Sequence, residues 1–171
     1  MGIYLRYVLS DMIAGFFDII SNTLYQYKRV KMKYYSSKEL KQDLQNFKIE
    51  KPDAIVAIAR GGLTFAHHLA EKLNMREVFT VNAVSYDKDK KLDTINIFNI
   101  PDLEKYNNIL VVDDISDSGD TFIEVIKTLK NHYPDKCFQT AAVFYKPTSK
   151  FKPDFYFHET EEWINFFWEA Y

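Results

Sequence analysis

Residues Ile109 to Phe122 read ILVVDDISDSGDTF, and no other stretch of the chain constrains its fold as much. The opening apolar run has no polar face to offer water, so it suits a strand covered on both sides. It ends on two adjacent acids, Asp113 and Asp114. Small and polar residues from Asp117 to Thr121 then form a turn. After the turn, Phe122, Val125, Ile126 and Leu129 recur at the spacing of one helix face, predicting a helix over Thr121–Tyr133. A buried strand running through a tight turn into a helix belongs to a βαβ unit. In sheets built from such units, ligands bind beyond the carboxyl ends of the strands.

The rest of the chain repeats this alternation. Asp53–Ala59 (DAIVAIA) is a buried strand, Arg60-Gly61-Gly62 a turn and Leu63–Leu73 a helix. Val78–Val84 and Asn108–Asp113 are the second and third strands, Phe138–Tyr145 the fourth, and Phe155–Phe157 a short fifth. Ser85–Asn99, with Lys88, Lys90 and Lys91, reads as a mobile loop or short hairpin. Ser36 and Glu39 stand three apart before Leu40, Leu44 and Phe47, which marks a capped helix start. The expected class is α/β, a mainly parallel sheet flanked by helices. Of 5 glycines, Gly61, Gly62 and Gly119 fall at the two strand-to-helix turns. His67 and His68 fall mid-helix, as packing or surface residues, and no pattern supports a zinc site.

Composition narrows the function classes. In 171 residues, 47% are hydrophobic and the formal net charge is -2, so the chain is neither intrinsically disordered nor an evident nucleic-acid binder. One cysteine, Cys137, excludes a disulfide framework and fits a reducing cytoplasm. Met1–Lys31 is apolar and aromatic but interrupted by Arg6, Asp11 and Asp18, so neither a spanning helix nor a secretory signal is expected there. Three readings stand for it: an amphipathic helix packed on the domain or a partner subunit, a membrane-surface segment, or an extension upstream of an internal start at Met32.

The acidic turn combines two opposite tools. Successive backbone N–H groups at a strand-to-helix turn make an anion nest, to which the helix dipole adds. Ser118 and Thr121 supply hydroxyl donors. The carboxylates of Asp113 and Asp114 suit a divalent cation or sugar hydroxyls. A ligand carrying phosphate, ribose and metal uses both. The competing readings are an acidic receiver pocket, which normally comes on the first strand, and a plain Asp-Ser-Gly turn.

This segment resembles the signature of the type I phosphoribosyltransferases: an apolar strand, two acids, two variable residues, then Asp-Thr/Ser-Gly-x-Thr. The resemblance covers about Met32 to the end. It extends to Arg60-Gly61-Gly62, similar to the family's pyrophosphate loop, and to Ser85-Tyr86, similar to the start of its flexible hood loop. Lys146 and the tail Trp163-Ile164-Asn165-Phe166-Phe167-Trp168-Glu169 look like the purine pocket of the 6-oxopurine enzymes, most similar to the short bacterial xanthine–guanine type. The division implied is 1–31 as an extension and 32–171 as the phosphoribosyltransferase domain, with a small C-terminal hood contributing the purine pocket.

The resemblance also implies roles. Phosphoribosyl pyrophosphate and a purine base would give a nucleoside monophosphate and pyrophosphate, with Mg²⁺ as cofactor. Asp113 and Asp114 would hold ribose and metal, and Arg60 and Gly61 the pyrophosphate. Asp117, Ser118, Gly119, Asp120 and Thr121 would cradle the 5′-phosphate. Asp117 would be the base taking the N7 proton, or a stabiliser of the cationic sugar. Lys146 would donate to the 6-oxo group, unless it is a surface lysine before Pro147. Trp163 would stack on the purine, unless it is core, and Ile164 would offer backbone groups. Glu169 would contact the 2-position region, and Trp168 would pack. Asp120 departs from the family, which carries lysine, glycine or a small residue there. Its side chain is expected to point outward. The alternative function is a non-catalytic sensor of phosphoribosyl pyrophosphate on the same fold. The family is typically oligomeric, which implies a homo-oligomer, and Tyr34 and Tyr35 are read as exposed aromatics suited to an interface.

Overall fold

The structure, a computed structural model, describes residues 32–87 and 90–169, with backbone only for the described part of 85–94. The readings of Met1–Lys31 and of the side chains of Ser85, Tyr86, Lys88, Lys90 and Lys91 lie outside the described residues. In chain order the elements are β1 (Met32–Tyr35), α1 (Ser37–Asn46), β2 (Ala54–Ala59), α2 (Gly62–Leu73), β3 (Val78–Asp87), β4 (Lys90–Phe98), β5 (Asn108–Ser116), α3 (Asp120–His132), β6 (Cys137–Tyr145), β7 (Phe155–Glu159) and β8 (Trp163–Phe166). They fall into two units, one of residues 36–161 and one pairing residues 32–35 with Glu162–Glu169. Among the described residues no helix is long and apolar enough to cross a membrane.

In the larger unit, six strands stand in the order β4-β3-β2-β5-β6-β7, and every neighbouring pair is parallel except β3 with β4. The expected mainly parallel α/β sheet is therefore present. β2 is buried along nearly its whole length because both faces are covered. Its Val56 and Ile58 join Ile109 and Val111 of β5 and Phe122, Val125 and Leu129 of α3 in one cluster. Each such side chain removed from water contributes about 1.5–3 kcal/mol. α2 packs over β2 and β5, while α3 reaches β3 and β4.

The strand order decides where a ligand can sit. From β2 the chain crosses through α2 to β3, on one side; from β5 it crosses through α3 to β6, on the other. Crossovers of this kind are right-handed, so the two helices cover opposite faces. The winding reverses between β2 and β5, and a crevice opens beyond their carboxyl ends. Asp53 locks the opposite end: its carboxylate accepts the N–H groups of Asn107 (2.9 Å) and Asn108 (2.8 Å).

The structure refines several expectations. Ser85–Asn99 is mostly hairpin, as β3 continues to Asp87 and pairs with β4. β5 runs past Asp113 to Ser116. The capping box of α1 is present, with the Glu39 N–H on Ser36 Oγ and the Ser36 N–H on Glu39 Oε2. Lys72 donates to the carbonyls of Leu44 and Phe47 and so closes the other end of α1. In the smaller unit β1 pairs with β8 in parallel, Met32 opposite Trp163 and Tyr35 opposite Phe166. This sheet places Tyr35 on its buried face, 0% exposed, with its ring edge-on to Phe166 and Trp168. Tyr35 is thus a core residue, against the expectation of an exposed aromatic. Tyr34, on the alternate face, is exposed.

Candidate active site

The apolar walls of β5 carry Asp113 and Asp114 to its carboxyl end while keeping both carboxylates buried. Asp113 accepts the Asp114 N–H at 3.0 Å. Burial, and then the charge of Asp114, push the Asp113 carboxyl well above the usual range. β2 lies beside β5, so the Arg60-Gly61-Gly62 turn arrives at the same place. A Cβ on Gly61 would lie 2.5 Å from Asp114 Oδ2, and one on Gly62 would lie 2.4 Å from the Val112 carbonyl oxygen. Both glycines are therefore needed for this approach. Arg60 is exposed, and the Ala59–Arg60 peptide is cis.

Beyond Ser116 the chain turns through Asp117 and Ser118 to Gly119, whose φ of 85° is left-handed. The Ile123 N–H bonds the Gly119 carbonyl, and α3 begins without a side-chain cap. α1, away from this crevice, caps itself; α2 and α3, which begin at it, do not. An uncapped start leaves backbone donors for an anion. A pocket of about 220 Å³ opens here, lined by Asp113 to Gly119, Thr121 and Phe122. Asp120 is not part of the lining; its carboxylate Oδ1 lies 2.8 Å from Lys150 Nζ. Its N–H donates to Ser118 Oγ at 3.3 Å.

Lys146, just after β6, reaches Asp117: Nζ to Oδ1 is 2.8 Å. Its N–H bonds the Ser116 carbonyl at 3.0 Å, which fixes its backbone against the acidic turn. The structure thus brings together Arg60, Gly61, Asp113, Asp114, the 117–121 turn and Lys146. Trp163, Ile164 and Glu169 lie in the other unit. There Trp163 is exposed, the Ile164 side chain is buried, and Glu169 Oε2 accepts the Phe166 N–H at 3.3 Å. Trp168 stacks on Phe166 with ring centroids 4.6 Å apart, the packing role expected of it.

Two features escaped the sequence reading. Lys150 is thirty positions from Asp120, and no local pattern links them. Ser149 and Phe151 press on Gly119 from the same loop, a contact visible only in the fold.

The donor set fits a hard divalent cation. Asp113 and Asp114 offer only oxygen, and among the described residues no group of three or more His, Cys, Asp or Glu side chains converges. Mg²⁺ accepts such a site, taking one or two carboxylates and completing its shell with water and substrate oxygens.

Comparison with known proteins agrees with this geometry. The profile of the phosphoribosyl transferase domain matches residues 31–171. A xanthine-guanine phosphoribosyltransferase of Cereibacter sphaeroides is 35% identical over 121 residues, covering 68% of each chain. One from Idiomarina loihiensis is 31% identical over 125 residues, covering 71% of this chain and 74% of its own. Among solved structures, a Helicobacter pylori xanthine-guanine-hypoxanthine phosphoribosyltransferase superposes with a TM-score of 0.75 at 36% identity, covering 82% of this chain and 95% of that one. A purine phosphoribosyltransferase of Pyrococcus horikoshii gives 0.67 at 28% identity, with the same coverage. The fold, the acidic turn and these likenesses agree: the chain belongs to the phosphoribosyl transferase family of enzymes.

Proposed function

We propose that this protein transfers the 5-phosphoribosyl group of phosphoribosyl pyrophosphate to N9 of a 6-oxopurine (guanine, xanthine or hypoxanthine), forming a nucleoside monophosphate and pyrophosphate in purine salvage. The observation that carries this reading is one pocket into which two buried carboxylates and an uncapped helix start both open. A purely anionic ligand would be repelled by the acids, and a purely cationic one by the helix start. A metal-bound sugar phosphate satisfies both. The relatives bear names of the same activity.

In the reaction the N9–C1′ bond forms as the bond from C1′ to pyrophosphate breaks, and pyrophosphate leaves with the electron pair. The N–H groups of the 118–121 turn and the hydroxyls of Ser118 and Thr121 hold the 5′-phosphate. Arg60 and the Gly61 N–H grip the departing pyrophosphate. Asp113 and Asp114 would hold the ribose hydroxyls and a Mg²⁺, whose chemistry there would be to offset charge on the leaving group. Asp117 takes the N7 proton, a gain of about 10²–10⁴-fold for a positioned base. Lys146 donates to the 6-oxo group; adenine presents a donor there and offers the lysine no acceptor. Trp163 stacks on the base, a role its 56% exposure supports. Ile164 offers backbone groups, since its side chain is buried, and Glu169 lies toward the 2-position. We read the protein as a cytoplasmic homo-oligomer without a nucleic-acid partner, which suits its single cysteine and slight negative charge.

The test is formation of nucleotide from phosphoribosyl pyrophosphate and each base with Mg²⁺. Product is expected with at least one 6-oxopurine and not with adenine. Binding of phosphoribosyl pyrophosphate without product from any base would instead identify a sensor.

A further inference from the structure

We propose that Lys150 is a positioning residue for the 5′-phosphate, its ammonium made necessary by the acid at Asp120; this rests on the function proposed above. Asp120 sits in the first turn of α3, where a carboxylate favours the helix itself. The same carboxylate opposes a phosphate bound at those N–H groups. The fold resolves the conflict with a charge from another loop, because Lys150 Nζ lies 2.8 Å from Asp120 Oδ1.

Two observations set this pair apart from an incidental surface contact. The Lys150 N–H donates to the Ser118 carbonyl at 3.0 Å, so its backbone is bonded to the phosphate turn itself. The loop also fits only because residue 119 is glycine: a Cβ there would lie 2.5 Å from the Phe151 nitrogen and 2.6 Å from Ser149 Oγ. The loop therefore has one seat on the turn, and the lysine arrives with it. An exposed ion pair contributes little to stability. The consequence of this one falls on anion affinity, since neutralising Asp120 removes repulsion at the site where a dianion binds.

The test compares the KM for phosphoribosyl pyrophosphate, at saturating guanine and Mg²⁺, with its direct titration onto the free protein. K150A is expected to raise both KM and Kd on the order of tenfold, with a much smaller change in kcat and in the KM for guanine. K150R should recover most of the loss. D120N should lower the KM, and D120N/K150A should bind better than K150A alone, because the carboxylate needing neutralisation is gone. An unchanged KM and Kd in K150A, or D120N weakening binding as K150A does, overturns the proposal. A wild-type protein that neither binds nor consumes phosphoribosyl pyrophosphate overturns the functional reading and this inference together, and is distinguished by appearing without any substitution.

Discussion

The ammonium of Lys146 lies 2.8 Å from the carboxylate of Asp117. The lysine side chain is 16% exposed and the aspartate 52%, so the pair joins a sheltered cation to a carboxylate at the pocket surface. In the proposed reaction both act on the same purine, one at its 6-oxo group and one at N7. Their pairing places them where a single purine edge can meet both.

Asp117→Asn keeps the shape of the turn and removes the proton acceptor. We expect kcat to fall by about 10²–10⁴-fold, while the Kd of phosphoribosyl pyrophosphate changes little. Steady-state kinetics with a parallel titration of the donor checks this. Wild-type turnover would rule out the base role.

Lys146→Met replaces the donor with an apolar chain of similar length. The kcat/KM for the preferred 6-oxopurine should fall about 10–100-fold, the value of a charged hydrogen bond. Discrimination against adenine should shrink by a similar factor. The ratio of kcat/KM for the two bases, measured side by side, reads it directly.

Gly61→Ala and Gly62→Ala should differ in kind. At Gly62 the new methyl meets the Val112 carbonyl oxygen at 2.4 Å, and main chain in the sheet centre cannot move aside. Its cost is about 1–3 kcal/mol of stability or more, visible as a lower Tm. At Gly61 the obstacle is the Asp114 carboxylate, at 2.5 Å. That side chain can rotate away, so activity should suffer far more than Tm.

Asp53 ties the amino ends of β2 and β5 through the N–H groups of Asn108 and Asn107, and these hold its carboxyl below the ordinary value of 3.8. A depressed folded-state pKa adds stability above the unfolded value and loses it as pH falls through the folded one. Asp53→Asn should therefore lower the Tm by a few degrees at neutral pH. The gap should close as pH drops from 3.8 to below the folded-state pKa. Thermal melts of both proteins across that range give the answer.

Much of the fold was legible because its signals are local. The apolar runs of β2 and β5, the Ser36–Glu39 cap and the Asp113–Thr121 turn each involve residues within one element or its flanks. Backbone geometry gives such neighbours a fixed period, so pattern suffices. The site's local make-up was legible for the same reason: two acids and a turn at the end of a buried strand set cation-holding oxygens beside anion-holding N–H groups.

Tertiary structure decided what depends on distant register. Tyr35 reads as an exposed aromatic until β1 meets β8, which turns its ring onto the buried face. Gly61 needs its hydrogen only because β2 lies beside β5 and brings Asp114 against it. Lys146 finds Asp117, and Lys150 finds Asp120, across loops whose spacing carries no signal. A charge pair at long sequence separation has no period to betray it. It exists only once strand order, crossover hand and loop seating have placed the two groups within reach, and there the acidic turn acquires its cations.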